Sequence, residues 1–211
     1  MRGTIIKHHL AGDEIHILIM AEGLTSRDFQ RDALTNAEAL EELHSNSIKA
    51  AKIIGATDIK LLSFPDNRMD SVDLLDVVKQ VELVVDDFLP DIVYTHHAGD
   101  VNVDHKVTHE AVITACRSLP GSSVKTILFF ETLSSTEWQI MTSDKIFYPN
   151  WYEDISNVFE KKIEALRCYA SEMRPYPHPR SYENVENLAK YRGMIIGTDL
   201  AEAFSLGRLI R

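Results

Sequence analysis

The feature that most constrains the fold is an alternation of short apolar segments with longer segments of helical periodicity. The apolar segments are rich in β-branched and large apolar residues, as buried strands are. They are EIHILIMA (14–21), DIKLLSF (58–64), DIVYTH (91–96) and VKTILFFE (124–131). Helical patterns cover 25–55, 71–89, 104–119, 155–171 and 182–191. Strands that alternate with helices indicate right-handed βαβ units, so we predict an α/β fold with a mostly parallel sheet.

Composition argues against several classes of partner. The 211 residues carry a formal charge of −10, and such an acidic surface repels nucleic acid. No apolar run approaches the roughly 20 residues of a membrane helix, and the first residues lack the apolar core of a signal peptide. The two cysteines, Cys116 and Cys168, are far apart. We interpret them as free thiols of a cytoplasmic protein.

Polar side chains follow all four predicted strands. The segments are AEGLTSR (21–27), SFPDNRMD (63–70), THHAGDVNVDH (95–105) and ETLSSTEW (131–138). Ligands of parallel sheets bind beyond the carboxyl ends of the strands. We therefore predict that these loops gather at one edge of the sheet and hold the functional site.

The third of these loops belongs to a segment, residues 94–111, that holds four of the nine histidines. His105 is near the start of a predicted helix, and neutral imidazole is the commonest metal ligand. His109 is one turn later and could share that helix face, although the Glu usual in such zinc pairs is missing. The alternative is that both are polar residues without a ligand.

The neighbouring polar residues allow two interpretations each. Asp104 either caps the helix or orients a ring and polarises a water. Asp100 and Asn102 bind either a polyol or the backbone of their own loop. Consecutive side chains of a strand point to opposite faces, so at most one of His96 and His97 easily faces the site.

Arg68 follows the second predicted strand by a few residues. Its guanidinium is suited to clamp a hydroxyl, a carboxylate or a phosphate of a substrate. The alternative is a surface ion pair with Asp66 or Asp70. Further along, RPYPHPRS (174–181) has the composition of an ordered loop, which either covers a cleft or caps the preceding helix.

Four segments together resemble the PIG-L/LmbE-like family of zinc-dependent N-deacetylases. They are GTIIKHHLAGDEIHILIMAEGLTSR (3–27), FPDNRMD (64–70), YTHHAGDVNVDHKVTHEAVITACR (94–117) and LRCYASEMRPYPHPRS (166–181). The resemblance runs from Gly3 to about Phe204. It implies a Rossmann-like three-layer sandwich, a single deacetylase domain over residues 1–211, and hydrolysis of the N-acetyl amide of an N-acetylglucosamine-type sugar conjugate.

The resemblance also implies a metal site. In the family, a zinc ion held by two His and one Asp activates water and polarises the acetyl carbonyl; iron(II) stays open as an alternative. His105 matches a zinc-binding His, and Asp104 matches a carboxylate that tunes a neighbouring group. Asn102 replaces a His that stabilises the oxyanion in many relatives, and its amide can still donate a hydrogen bond. We expect Arg68, Asp100 and His97 to contact the sugar.

The start of the sequence departs from the family pattern. Relatives begin with a strand and a motif close to Pro-His-x-Asp-Asp-Glu, which supplies two zinc ligands and the base. This sequence begins at the glycine-containing helix that follows, so these features and the first strand have no counterpart. We interpret this as a start assigned too late, with a genuine truncation as the alternative. We expect the chain as given to be poorly stable, inactive and weak in zinc binding.

Three functions remain open from the sequence. The first is a metal-dependent N-deacetylase of small-molecule amino-sugar conjugates. The second is a non-catalytic sugar-binding or degenerate family member, and the third is a subunit whose site a partner chain completes. A homo-oligomer is compatible with all three. A nucleotide-dependent Rossmann enzyme is disfavoured because no G-x-G-x-x-G or P-loop follows a predicted strand.

Overall fold

The fold is known from a computed structural model that describes residues 1–27 and 37–211. In these ranges the elements are α1 (Arg2–Ala11), β1 (His16–Ala21), α2 (Ala37–Ile54), β2 (Asp58–Phe64), α3 (Leu74–Phe88), β3 (Ile92–His96), α4 (Val103–Ala115), β4 (Thr126–Phe130), β5 (Trp151–Asp154), α5 (Phe159–Arg167), α6 (Tyr182–Ile196) and β6 (Ala201–Leu209). Residues 28–36 of the helix predicted over 25–55 lie outside the described residues. None of the helices in the described ranges is long and apolar enough to cross a membrane.

The chain divides into two compact units. The first comprises Met1–Asp66 and Tyr152–Ala203, and the second comprises Asn67–Trp151 and Phe204–Arg211. Strands β1 and β2 pair in parallel in a two-stranded sheet. The other sheet has the order β3-β4-β6-β5, with β3 and β4 parallel and β4 and β6 antiparallel. The predicted α/β class and its parallel strand pairs are confirmed, and the single domain over residues 1–211 stays a prediction.

The first unit is organised around the start of α1. This helix buries Gly3, Thr4, Ile5 and Ile6 and contacts α2 and α5. Its first turn meets the buried carboxylate of Glu202, which accepts hydrogen bonds from the backbone N–H groups of Gly3 and Thr4. The first N–H groups of a helix have no partner inside the helix. A residue far along the chain therefore satisfies the start of α1.

The second unit has its core between α3, α4 and the strands β3 and β4. Val77, Val78 and Val81 of α3 are buried at helical spacing, and α3 packs against α4. α3 begins at Leu74, after Asp73, and so later than the helical pattern predicted over 71–89. The reason is that Met69–Ser71 forms a separate 3₁₀ turn, with the Met69 side chain fully buried.

Strands β5 and β6 were not predicted from the sequence. Their sequences, WYED and AEAFSLGRL, contain polar residues and a glycine instead of a continuous apolar run. Backbone pairing decides their conformation: β6 pairs antiparallel with β4, with Phe204 opposite Phe130. Phe204 is fully buried, and its ring meets Tyr94 edge-on at a centroid distance of 5.2 Å.

Candidate functional site

The loops after β3 and β4 meet around one carboxylate, that of Asp100. Its Oδ1 accepts the backbone N–H of Asn102 at 2.9 Å and the hydroxyl of Ser135. Its Oδ2 accepts the hydroxyl of Thr136 at 2.9 Å and is 3.1 Å from Nδ1 of His105. The side-chain amide of Gln139 also donates to the Asp100 carbonyl at 3.2 Å. For these two loops, the predicted meeting beyond the strand ends is confirmed.

Asp100 is a buried, ionised group. Burial by itself raises its pKa, but hydrogen bonds from His105 and Ser135 outweigh burial and lower the pKa to about 2. The side chain is 0% exposed, so no sugar hydroxyl reaches this carboxylate. This corrects the expectation that Asp100 contacts the sugar, because protein groups occupy both of its oxygens.

His105 stands in the first turn of α4, next to this carboxylate. Its side chain is 19% exposed, and its ring stacks on that of His96 with centroids 4.1 Å apart and planes at 16°. Nδ1 faces Asp100 and has the Ser135 hydroxyl oxygen at 3.4 Å. No hydrogen bond of Nε2 is found among the residues that the structure describes. Nε2 is therefore the ring nitrogen of His105 that has no hydrogen bond to a described residue.

The two consecutive histidines at the end of β3 have different surroundings. Burial, together with the neighbouring His105, lowers the pKa of His96 to about 3, so His96 is neutral at physiological pH. His97 instead donates from Nε2 to the carbonyl of Lys145 at 2.9 Å and meets Phe147 edge-on. Strand alternation thus sends His96 to His105 and His97 to the long loop after β4.

His109, one turn after His105, binds the strand instead of completing a visible metal pair. Its Nδ1 donates to the carbonyl of His96 at 2.8 Å, and its ring packs on Phe129 at 4.7 Å. Burial lowers the pKa of His109. The contact fixes α4 against β3 and so helps to position His105.

Asn102, and not Asp104, is the N-cap of α4. Its Oδ1 accepts the backbone N–H groups of Asp104 at 2.8 Å and His105 at 3.4 Å. The Asp104 carboxylate instead accepts the N–H groups of Asn67 at 2.6 Å and Met69 at 3.0 Å. This corrects the cap assignment: the cap is two residues earlier, and Asp104 ties α4 to another loop.

That loop carries Arg68. Asn67 has a φ of 52°, a left-handed conformation that Asn adopts more readily than most residues. The two amides that flank Arg68 in sequence are both bound to Asp104. The side chain of Arg68 is half-buried, and no ion pair of Arg68 is found within residues 1–27 and 37–211. Asp104 therefore determines where the backbone of Arg68 lies.

The zinc site implied by the resemblance is only partly represented. His105 fits as one donor, because Asp100 holds Nδ1 and leaves Nε2 for a metal. However, no group of three His, Cys, Asp or Glu side chains suited to a metal ion occurs in the part of the chain that is described. A structural or catalytic zinc takes at least three protein ligands. The described residues therefore do not complete a zinc site.

Ser135 and Thr136 were not predicted from the sequence, and of the two candidates His96 and His97 the sequence interpretation chose His97. The only signal for Ser135 and Thr136 was their position in a polar loop after a predicted strand. For His96, strand alternation left two candidates, and only its contact with His105 distinguishes it from His97. These contacts join positions that are far apart in sequence, so local pattern does not reveal them.

The fold and this cluster define a Rossmann-like α/β protein with a His- and Asp-rich site beyond its parallel strands. The chain belongs to the PIG-L family, described as GlcNAc-PI de-N-acetylase, whose family model matches residues 1–116. The resemblance noted in the sequence is thereby confirmed.

One curated relative and two solved structures of the same fold are similar to this chain. The uncharacterized deacetylase YaiS of Escherichia coli (strain K12) is 29% identical over 143 residues, which are 65% of this chain and 70% of that protein. The N,N'-diacetylchitobiose deacetylase from Pyrococcus horikoshii has a TM-score of 0.76 at 21% identity, covering 99% of this chain and 78% of that one. GalB, the 4-carboxy-2-hydroxymuconate hydratase from Pseudomonas putida KT2440, has a TM-score of 0.78 at 20% identity, covering 100% and 91%.

Proposed function

We propose that this protein hydrolyses the N-acetyl amide of an N-acetylglucosamine-type sugar conjugate. The observation that carries the proposal is the Asp100–His105 pair, which leaves Nε2 of His105 without a partner among the described residues in a chain of this family. The sugar class rests on the family description and on the chitobiose deacetylase of the same fold. The hydratase GalB shares the fold as well, so the fold alone does not select the reaction.

Zinc is the cofactor that we propose, with Nε2 of His105 as one donor. A bound zinc ion polarises an amide carbonyl and lowers the pKa of a bound water. Because the described residues supply one donor and not a complete set, the roles below concern only side chains of this chain.

The proposal gives complementary roles to four residues, Asn102, Asp104, Arg68 and His97. Oδ1 of Asn102 is used as the helix cap, so its NH₂ group is the part that donates to the oxyanion of the reacting amide. Arg68 binds the sugar, and Asp104 holds the backbone on which Arg68 stands. His97 acts on sugar binding through the loop that it holds at Lys145.

The compartment that we propose is the cytoplasm. Cys116 is buried and Cys168 is partly exposed, and both are free thiols. Free thiols are typical of a reducing compartment.

The function is tested by supplying the purified protein with zinc and incubating it with N-acetylglucosamine or N,N'-diacetylchitobiose. Control incubations contain no acetylated sugar. Equimolar release of acetate and a primary amine from the acetylated sugars would support the function and would overturn the expectation that the chain as given is inactive. Binding of these sugars without any release of amine would favour the non-catalytic alternative. If the protein neither binds any of these sugars nor releases an amine from them, the sugar class of the proposal is wrong.

The two roles of Asn102 are separable by substitution. Asn102→Ala removes the cap and is expected to lower the free energy of unfolding by about 1 kcal/mol. Asn102→Asp retains an oxygen that caps equally well, but it removes the NH₂ donor. We therefore expect Asn102→Asp to unfold like the unmodified protein and to lose about 10²-fold in kcat, as when one oxyanion donor is removed.

Thermal unfolding and kcat, measured on both variants, check this prediction. Full activity of Asn102→Asp would contradict the donor role, and unchanged stability of Asn102→Ala would contradict the capping role.

A further inference from the structure

We propose that Asp100 is a positioning residue that holds His105 in the tautomer with the proton on Nδ1 and the lone pair on Nε2. The importance of this tautomer for catalysis rests on the proposed function. The tautomer itself does not, and it is measurable on the protein without substrate.

The donors and acceptors around the ring determine the tautomer. A carboxylate accepts hydrogen bonds and has no proton to donate. Nδ1 of His105 is 3.1 Å from Oδ2 of Asp100, so the proton of that contact belongs to Nδ1. The hydroxyl of Ser135 donates to Asp100, so towards Nδ1 it presents only its oxygen, at 3.4 Å. Both neighbours of Nδ1 are therefore acceptors.

The surroundings of Asp100 make it a rigid acceptor. The carboxylate is fully buried and receives three further hydrogen bonds, from Asn102, Ser135 and Thr136. These bonds determine where both oxygens lie, whether or not His105 is present. Asp100 is thus fixed by two loops and presents Oδ2 to the ring of His105.

Two other contacts restrict the ring in ways that Asp100 does not. The N-cap bond, in which the backbone N–H of His105 donates to Oδ1 of Asn102, fixes the first turn of α4, where His105 stands. The stacked ring of His96 restricts rotation about the side-chain bonds of His105. With the backbone and the ring plane already restricted, what remains to be determined is which ring nitrogen of His105 carries the proton. The hydrogen bond to Asp100 places that proton on Nδ1.

A purely structural role is the alternative, since Asp100 also joins the loops after β3 and β4. The two roles differ in what a neutral substitute does. Asn at position 100 keeps the shape and one acceptor oxygen, but its NH₂ group can turn to His105 and donate to Nδ1. In the serine-protease triad, a change of this kind produces the wrong His tautomer. A structural role predicts a loss of stability with no change of tautomer.

The test is ¹⁵N NMR of the ring nitrogens of His105, in the full chain labelled on histidine. We expect a pyrrole-type Nδ1 and a pyridine-type Nε2 in the unmodified protein, the reverse of the tautomer that free histidine favours. We expect Asp100→Asn to shift the population towards the proton on Nε2. A pyridine-type Nδ1 in the unmodified protein would overturn the proposal, whatever the variant does.

Two further variants serve as controls. Asp66→Asn neutralises another buried carboxylate, which accepts the N–H of Ser26, and should leave the His105 signals unchanged. Thr136→Val removes one hydroxyl donor to Asp100 and loosens the connection of the loops, yet it leaves Oδ2 for Nδ1. It should retain the Nδ1 proton, and it keeps the test decisive if Asp100→Asn fails to fold.

Kinetics connect the tautomer to the reaction. If the deacetylase function is correct, Asp100→Asn should lower kcat by about 10- to 100-fold with little change in KM, because the sugar does not contact Asp100. If the unmodified protein shows the expected tautomer but no activity, the proposed function is wrong and the tautomer assignment still holds. Full activity of a variant with the altered tautomer would remove the positioning role.

Discussion

Glu202→Ala is expected to lower the free energy of unfolding of the first unit by about 3–5 kcal/mol, the usual cost of removing one partner of a buried ion pair. The Glu202 side chain is 6% exposed. It is paired with Nζ of Lys162 at 2.9 Å, and Lys162 is itself only 12% exposed. Its oxygens also accept the N–H groups of Gly3 and Thr4 and the hydroxyl of Thr4. The change leaves a buried ammonium unpaired and the start of α1 without acceptors.

Glu186→Ala is the matched control, since Glu186 pairs with Lys190 on the exposed face of α6. An exposed pair at this helical spacing contributes about 0.3–0.5 kcal/mol. Denaturant unfolding of the three proteins, followed by circular dichroism, gives the comparison. Equal midpoints for Glu202→Ala and Glu186→Ala would contradict the assignment of Glu202 as the acceptor that stabilises α1.

The same carboxylate predicts a dependence of stability on pH. Burial raises the pKa of Glu202, but the charge of Lys162 and its hydrogen bonds outweigh burial and hold the pKa well below the ordinary 4.5. A depressed pKa contributes stability that is present above the unfolded value and is lost as pH falls below it. The free energy of unfolding should therefore decrease below about pH 4.5, and more steeply in the unmodified protein than in Glu202→Gln.

His105→Ala is expected to reduce deacetylase kcat/KM by at least about 10²-fold, the lower end of what a positioned imidazole contributes. The change removes the imidazole whose Nε2 has no partner among the described residues. It also removes the proposed zinc donor, so any bound zinc measured by mass spectrometry should fall. Retention of stoichiometric zinc and of activity in a folded His105→Ala protein would show that the metal assignment is wrong.

His109→Asn is the control for His105→Ala. His109 is on the same helix and uses Nδ1 to donate to the carbonyl of His96, a bond that the Asn amide can reproduce. Activity and zinc content should therefore stay within a few-fold of the unmodified protein, since a substitution that keeps the hydrogen bond to the carbonyl of His96 has a small effect. A loss equal to that of His105→Ala would mean that α4 packing, and not the His105 ring, is what both variants disturb.

Much of the secondary structure follows from local pattern. DIKLLSF coincides with β2, and the patterns before Pro90 and Gly55 end where α3 and α2 end. Such segments are predictable because apolar spacing and helix-stopping residues act over a few neighbouring residues. The α6 helix continues past its predicted end at Tyr191 to Ile196, where Gly197 in a left-handed conformation terminates it.

The site was predictable in its location and only partly in its contacts. The sequence indicated which loops carry the polar residues, and the resemblance selected His105. The resemblance assigned Asp100 to the sugar and Asp104 to the tuning of a neighbouring group, with a helix cap as the alternative for Asp104. The structure instead buries Asp100 under Ser135 and Thr136 and joins Asp104 to Asn67 and Met69. A carboxylate accepts equally well from backbone, hydroxyl or ligand, so its partner depends on which donors the fold brings near.

The alternating strands and helices, the polar loops and the family are readable from residue type and from spacing along the chain. The antiparallel place of β6, the choice of His96 over His97 as the partner of His105, and the joining of Glu202 to the start of α1 emerge only in the folded chain. Each of these depends on groups tens of residues or more apart in sequence, or on which face of a strand is covered. Contacts of that range are set by packing and hydrogen-bond satisfaction in the folded chain.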